Sequence, residues 1–230
     1  MAPKPRDWVY HLAMKTYVRR VLIVEDEVLI RNFLCLTLEE AGFEVAQASS
    51  AAQALDVIKK FDPDIAILDI NLGPGPSGVD LAFVMDKMQF GVALVVLTNH
   101  PDLRTAGYSK SDLPVGCGFL RKDLIDDPSA FIAAIETVIA GRKELRQDQD
   151  KSRPLAELSA HQIEILRLTA SGLTNAAIAK QRNTSSRAVE QSLKGIYEVL
   201  GIDTDGDVNP RVEAATRFFR AAGLPNSSNS

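Results

Sequence analysis

The feature that most constrains this chain is an alternation running from about residue 20 to residue 140. Short apolar runs, VLIV (21–24), DIAIL (64–68), VALVVL (92–97) and VGCGF (115–119), with a weaker one, FEVAQA (43–48), are separated by stretches of helical character. Runs this short and this uniformly apolar suit strands buried on both faces. The intervening segments 27–41, 51–60, 78–88 and 129–140 carry helix signals; in the last, Ile132, Ile135, Val138 and Ile139 recur at helical spacing after an Asp127 cap and Pro128. Strand–helix alternation of this kind predicts a doubly wound, five-stranded parallel sheet with helices on both faces.

Past residue 141 the pattern stops. GRKELRQDQDKSRP is polar and aperiodic and reads as a linker, and only helical signals follow Pro154. Ser159 and Gln162 form an S-x-x-Q capping box, Gly172 stops that helix, and Thr174 or Asn175 starts a short one. A brief turn, RNTS, leads to a longer helix, SSRAVEQSLKGIYEVLG, so that residues 155–203 predict a small all-α helix-turn-helix domain. The expected divisions are an N-terminal extension (1–17), an α/β domain (18–141), a linker (142–154), the helix-turn-helix (155–203) and a C-terminal helix with a tail (204–230). Met14 is a possible natural start. In the C-terminal helix Val212, Ala215, Phe219 and Ala222 are expected to form an apolar stripe, packed on the helical core or on a second copy, with Gly223 and Pro225 ending it.

Bulk properties narrow the function. The net charge of −4 supplies no global field toward nucleic acid or membrane, so DNA affinity must come from a local patch. No apolar stretch reaches membrane-spanning length, and the N-terminus lacks a signal-peptide core. Two cysteines, Cys35 and Cys117, suggest reduced thiols and a cytoplasmic protein.

In an open parallel sheet, ligands bind at the carboxyl ends of the strands. There the chain places Glu25 and Asp26 after the first apolar run, Asp69 after the third, Thr98 at the end of the fourth and Lys122 just past the fifth. Singly, each has an ordinary structural explanation as a cap, a strand end or a surface group. Together they form an oxygen-rich, mutually repelling carboxylate cluster suited to Mg²⁺, with a hydroxyl and an ammonium able to hold phosphoryl oxygens. This is the equipment of phosphoryl transfer.

With these motifs in order, residues 18–141 resemble a response-regulator receiver domain of the CheY-like, flavodoxin-like fold. Residues 155–203, through GLTNAAIA, Val189, Leu193, Ile196 and Leu200, resemble the LuxR/NarL-type helix-turn-helix. The resemblance implies that Asp69 accepts a phosphoryl group from a histidine kinase. It implies that Glu25, Asp26, Asp69 and the backbone carbonyl of Asn71 serve Mg²⁺, that Thr98 and Lys122 grip the phosphoryl oxygens, and that Thr98 and Phe119 act as the switch. Leu72 and Gly73 stand where the family usually has Met-Pro, in a loop one residue longer. An enzyme of the haloacid-dehalogenase type would need a second Asp at position 71; Asn71 cannot do that proton transfer, so a non-enzymatic regulator is expected.

On the long helix, Val189, Leu193, Ile196, Tyr197 and Leu200 share one face, and Arg187, Gln191 and Lys194 share the other. The latter three, with Thr174, are the expected DNA-binding residues. Glu190 and Glu198 lie beside them. Residues 155–200 hold five Lys/Arg and four Glu, a net charge of +1 that is weak for a phosphate-binding module. Two readings therefore stand: a phosphorylation-controlled transcription regulator that dimerises to strengthen a weak monomer footprint, or a receiver whose helical domain binds a protein partner.

Overall fold

The computed structural model describes residues 17–141 and 145–222, apart from the side chain of Leu124. The expected N-terminal extension and possible start at Met14, the first residues of the linker, and the Gly223–Pro225 helix stop with the tail beyond it lie outside the described residues, except for Tyr17.

Five strands, β1 (Arg20–Val24), β2 (Glu44–Ala48), β3 (Ile65–Leu68), β4 (Ala93–Thr98) and β5 (Gly118–Arg121), form one parallel sheet in the order β2-β1-β3-β4-β5. Helices α1 (Val28–Glu40), α2 (Ala51–Phe61), α3 (Gly78–Lys87) and α4 (Pro128–Ile139) flank it. Side chains alternate along the strands, yet in β1, β3, β4 and β5 both faces are buried, whereas the edge strand β2 buries only Ala48. Leu22, Val24, Ala66, Leu68, Val96 and Phe119 pack into one core with α2 and α3. Val21, Ile23, Ile65, Ile67, Val95 and Leu97 pack into the other with α1 and α4. That two-sided burial is why the strands read as continuous apolar runs rather than alternating ones.

Strand β5 departs from its expected position. The apolar run suggested 115–119, but the strand spans Gly118–Arg121, and Val115 is fully exposed. Gly116 at φ +84 turns the chain there, so the apolar character of Val115 belongs to a loop. The whole connection from β4 to β5 is irregular apart from a short 3₁₀ turn at Lys110–Asp112.

The second domain contains α5 (Ala160–Ala170), α6 (Asn175–Gln181), α7 (Ser186–Leu200) and α8 (Pro210–Ala222). The capping box at Ser159 and Gln162 forms, and Thr174 and Ser185 cap α6 and α7 by accepting from Ala177 and Ala188 N–H. Helix α8 packs on this domain's own core through Ala214, Phe218 and Ala222. The expected stripe is thus corrected: Val212 is 60% exposed, and the buried positions run 214, 218 and 222. Arg211 fixes the helix by donating to Asn175 Oδ1 and to the Leu173 carbonyl, and Arg217 by donating to the Leu200 carbonyl.

Residues 145–149, expected to be linker, lie against the edge of β5. Phe119 N–H donates to Leu145 O at 2.7 Å, and Arg121 N–H donates to Gln147 Oε1 at 2.6 Å. These bonds satisfy backbone donors that an open edge would leave to water.

Candidate functional site

Parallel pairing in register carries the ends of β1 and β3 to the same edge, since Val24 pairs with Leu68. The next residues, Glu25 and Asp69, therefore emerge side by side. Carboxylate oxygens of Glu25, Asp26 and Asp69 all lie within 4.8 Å of one another. Lys122, immediately after β5, reaches back between two of them: its Nζ is 2.8 Å from Glu25 Oε2 and 3.0 Å from Asp69 Oδ2. Thr98 ends β4, the strand between those bearing Asp69 and Lys122, and its Oγ1 accepts from His100 N–H at 3.3 Å. Glu25, Asp69, Thr98 and Lys122 are all buried.

Burying charge here has a cost that shows in the protonation equilibria. Burial, followed by the Asp69 charge, pushes the Glu25 carboxyl up to about 7 against the opposing pull of Lys122. Burial also pushes Asp69 up to about 6, although Lys122 and a backbone hydrogen bond from Asn71 favour its carboxylate. Lys122 is lifted above its ordinary value: burial works against its charge, but Asp69 and Glu25 outweigh it. The pocket is thus short of positive charge even with its lysine in place. An all-oxygen donor set with excess negative charge fits a hard divalent cation.

The sequence-based expectations for this pocket come together as follows. Glu25, Asp26, Asp69 and Lys122 form one cluster. Phe119, three residues before Lys122, is wholly buried. Asn71 is exposed on the loop after Asp69. Leu72 is buried, and Gly73 at φ +70 brings its backbone so near the pocket that a Cβ would lie 3.3 Å from Asp26 Oδ2.

One glycine escaped sequence reasoning. A Cβ at Gly78, the first residue of α3, would lie 1.9 Å from the Asp69 carbonyl oxygen. The absence of a side chain lets α3 begin directly against the residue on which the pocket turns, and Gly78 N–H donates to Ile70 O at 3.0 Å. The only sequence sign was a glycine inside a predicted helix start. Gly78→Ala is expected to destabilise the protein by about 2–3 kcal/mol through forced backbone displacement, measurable by urea denaturation; an unchanged midpoint would contradict the close approach.

Two family models match the chain. One, the response regulator receiver domain, covers residues 21–111, and the other, bacterial regulatory proteins of the luxR family, covers 156–208. The transcriptional regulatory protein DesR of Bacillus subtilis is 30% identical over 206 residues, spanning 86% of this chain and 94% of its own length. The chain is a response regulator. The nitrate/nitrite response regulator protein NarP of Escherichia coli is 27% identical over 217 residues, covering 89% of this chain and 96% of NarP. A solved structure described as two RcsB dimers bound to two parallel DNAs shares the fold, with a TM-score of 0.55 and 20% identity over 89% of this chain and 99% of that one.

In the regulator's LuxR-type DNA-binding domain, α7 has one buried and one exposed face. Val189, Leu193 and Ile196 are buried, whereas Arg187, Gln191 and Lys194 are exposed on the opposite side. Glu190 and Glu198 are exposed as well, and among the described residues no ion pair joins Glu190 to Lys194. The basic groups of α7 are therefore free of acidic partners within the helix. Thr174 is exposed at the start of α6, its hydroxyl already accepting from Ala177 N–H. Arg182 is exposed at the end of α6. No helix among the described residues is long and apolar enough to cross a membrane.

Proposed function

We propose that the regulator takes a phosphoryl group onto Asp69 from a histidine kinase in the cytoplasm and controls transcription through DNA contacts made by Arg187, Gln191, Lys194 and Thr174. The observation that carries the first half is the bond from Lys122 Nζ to Asp69 Oδ2, at 3.0 Å, within a cluster of three carboxylates. Asp69 is the nucleophile: a carboxylate oxygen forms a bond to phosphorus as the bond from phosphorus to the histidine nitrogen breaks, giving an acyl phosphate. With its carboxyl near 6, Asp69 is mostly ionised at neutral pH and able to attack. The ammonium of Lys122 is placed to neutralise charge on the transferred group, and the Thr98 hydroxyl retains a proton to donate. Glu25, Asp26, Asp69 and the Asn71 carbonyl would hold Mg²⁺, which supplies charge neutralisation for the phosphoryl oxygens.

Phosphorylation biases a two-state surface through Thr98 and Phe119, and dimerisation of the phosphorylated regulator doubles a weak footprint. DNA binding is tested on a genomic fragment recovered with the protein. Arg187→Ala and Lys194→Ala should each weaken binding, by about 1–3 kcal/mol where a base contact is lost. Loss of a phosphate contact should instead flatten the log–log salt slope by about 0.9. Fluorescence anisotropy across a salt series reads both effects. Exposed Glu190 and Glu198 favour a second reading, a protein partner for α7. Failure of the phosphorylated protein to bind any fragment at low salt would select it.

A further inference from the structure

Helix α1 starts without the usual fastening. Its N-cap, Glu27, makes no side-chain cap bond, and its first turn holds no acidic group to meet the helix dipole. The turn just before it carries the two carboxylates that β1 delivers to the pocket. Glu25 is held on both oxygens: Oε1 accepts from Glu27 N–H at 3.3 Å, and Oε2 faces Lys122 Nζ at 2.8 Å. Asp26 has no such hold. Among the described residues its carboxylate makes no hydrogen bond and no ion pair, yet one of its oxygens lies within 4.8 Å of an oxygen of Glu25 and of Asp69. The direction of Asp26 therefore rests on its backbone.

Arg31 holds that backbone. From one turn into α1 it folds back on the loop: Nη1 donates to Glu25 O at 2.6 Å and to Asp26 O at 3.2 Å, and Nε donates to Gln47 Oε1 at 3.2 Å. Gln47 lies on β2, opposite Ile23 of β1. One planar group thus ties two successive loop carbonyls to the edge strand of the sheet. Those carbonyls belong to the two peptide planes that flank Asp26, so fixing them fixes the direction of its Cα–Cβ bond.

We infer that Arg31 is a positioning residue for the cation site, aiming the Asp26 carboxylate by holding the peptide planes on either side of it. This rests on the Mg²⁺ reading above. Arg31 bonds to carbonyl oxygens and not to the carboxylates, so it leaves their negative charge to the cation. Lys122 does the opposite, taking up charge of Glu25 and Asp69. The role needs an arginine, because a guanidinium sends its bonds in fixed directions, whereas an ammonium is a point charge on a flexible stem.

Calorimetric titration of Mg²⁺ into the full chain, as wild type, Arg31→Met and Arg31→Lys, tests this. Removing a group that orients a ligand weakens metal binding by about 10–100-fold, and Arg31→Met should lose about tenfold. Arg31→Lys keeps the charge but cannot reach both carbonyls and Gln47 together, and should lose about fivefold. A second readout needs no metal. Glu25 N–H donates to Ala48 O at 3.1 Å and Glu27 N–H to Glu25 Oε1. In chelator both amides should exchange about tenfold faster in Arg31→Met, with exchange in β3 and β4 unchanged. Wild-type Mg²⁺ affinity in Arg31→Met overturns the inference, because a merely structural arginine would lower the urea midpoint and leave the affinity alone. Full affinity in Arg31→Lys overturns it too, since charge and not the fork would then be what counts. Wild type that takes up no Mg²⁺ removes the cation site of the proposed function and this inference with it; wild type that binds while both variants match it removes only the role of Arg31. If Arg31→Met does not fold, Arg31→Lys carries both readouts.

Discussion

Asp69→Asn is expected to abolish covalent labelling by acetyl phosphate and Mg²⁺ while making the unliganded protein more stable. The two effects have one cause. Asp69 is a buried carboxylate beside two others, and burial is the main reason its carboxyl is pushed up to about 6. An amide of the same shape keeps an acceptor for Lys122 but carries no charge to desolvate and no nucleophilic oxygen pair. Labelling should therefore fall to background, and stability at neutral pH should rise by about 1 kcal/mol. Mass spectrometry of the intact protein reads the first effect and urea denaturation in chelator the second. Persistent labelling would place the phosphoacceptor elsewhere; a loss of stability would mean that the Lys122–Asp69 pair outweighs the cost of burying it.

The second large effect is expected at Lys122. Lys122→Met leaves Glu25 and Asp69 facing one another in a buried pocket without their shared cation, 2.8 and 3.0 Å away in the wild type. Breaking such a pair costs about 3–5 kcal/mol when the remaining charges cannot escape. Here they can escape by binding protons, so the loss should depend on pH. Both carboxyls already sit above their ordinary values in the fold, at about 7 and about 6. A raised carboxyl favours the folded state fully below its unfolded value, near 4, and this contribution is lost as pH rises through the folded value. Without chelatable cation the wild type should therefore lose stability between about pH 4 and pH 7. The Met variant, its carboxyls pushed higher still, should lose more at about pH 8 than at about pH 5. Equal losses at both would show that Lys122 matters by packing rather than by charge. Excess Mg²⁺ should restore part of the loss at the higher pH, because the three carboxylates gain another source of positive charge.

Much of this pocket was legible in the chain because strand ends are legible. Glu25, Asp26 and Asp69 follow apolar runs directly, and in a parallel sheet every such run must deliver its next residue to the same edge. Lys122 was locatable although β5 begins three residues later and ends two residues later than the apolar run 115–119, because a residue just past that run still falls at the carboxyl edge of the sheet. Gly78 and Arg31 were not legible. Gly78 matters because of a backbone oxygen nine residues away along the chain, and Arg31 because its guanidinium folds back on the carbonyls of Glu25 and Asp26 and reaches Gln47, 16 residues on. Neither has a periodicity or a spacing that marks it. The stripe on α8 was misplaced for a related reason: several apolar phases are available in PRVEAATRFFRAA, and only the surface of α5 and its neighbours selects Ala214, Phe218 and Ala222.

The sequence by itself determined the two kinds of domain, the edge on which the carboxylates gather and the opposed faces of α7, because these follow from local periodicity and from the geometry of parallel strands. Only the tertiary structure decided that Lys122 bridges Glu25 and Asp69, that α3 starts against the Asp69 carbonyl, and that the segment joining the domains is bound to β5. Those are contacts between residues far apart in the chain. Their energies depend on burial and on distances of about 3 Å, which no local pattern encodes.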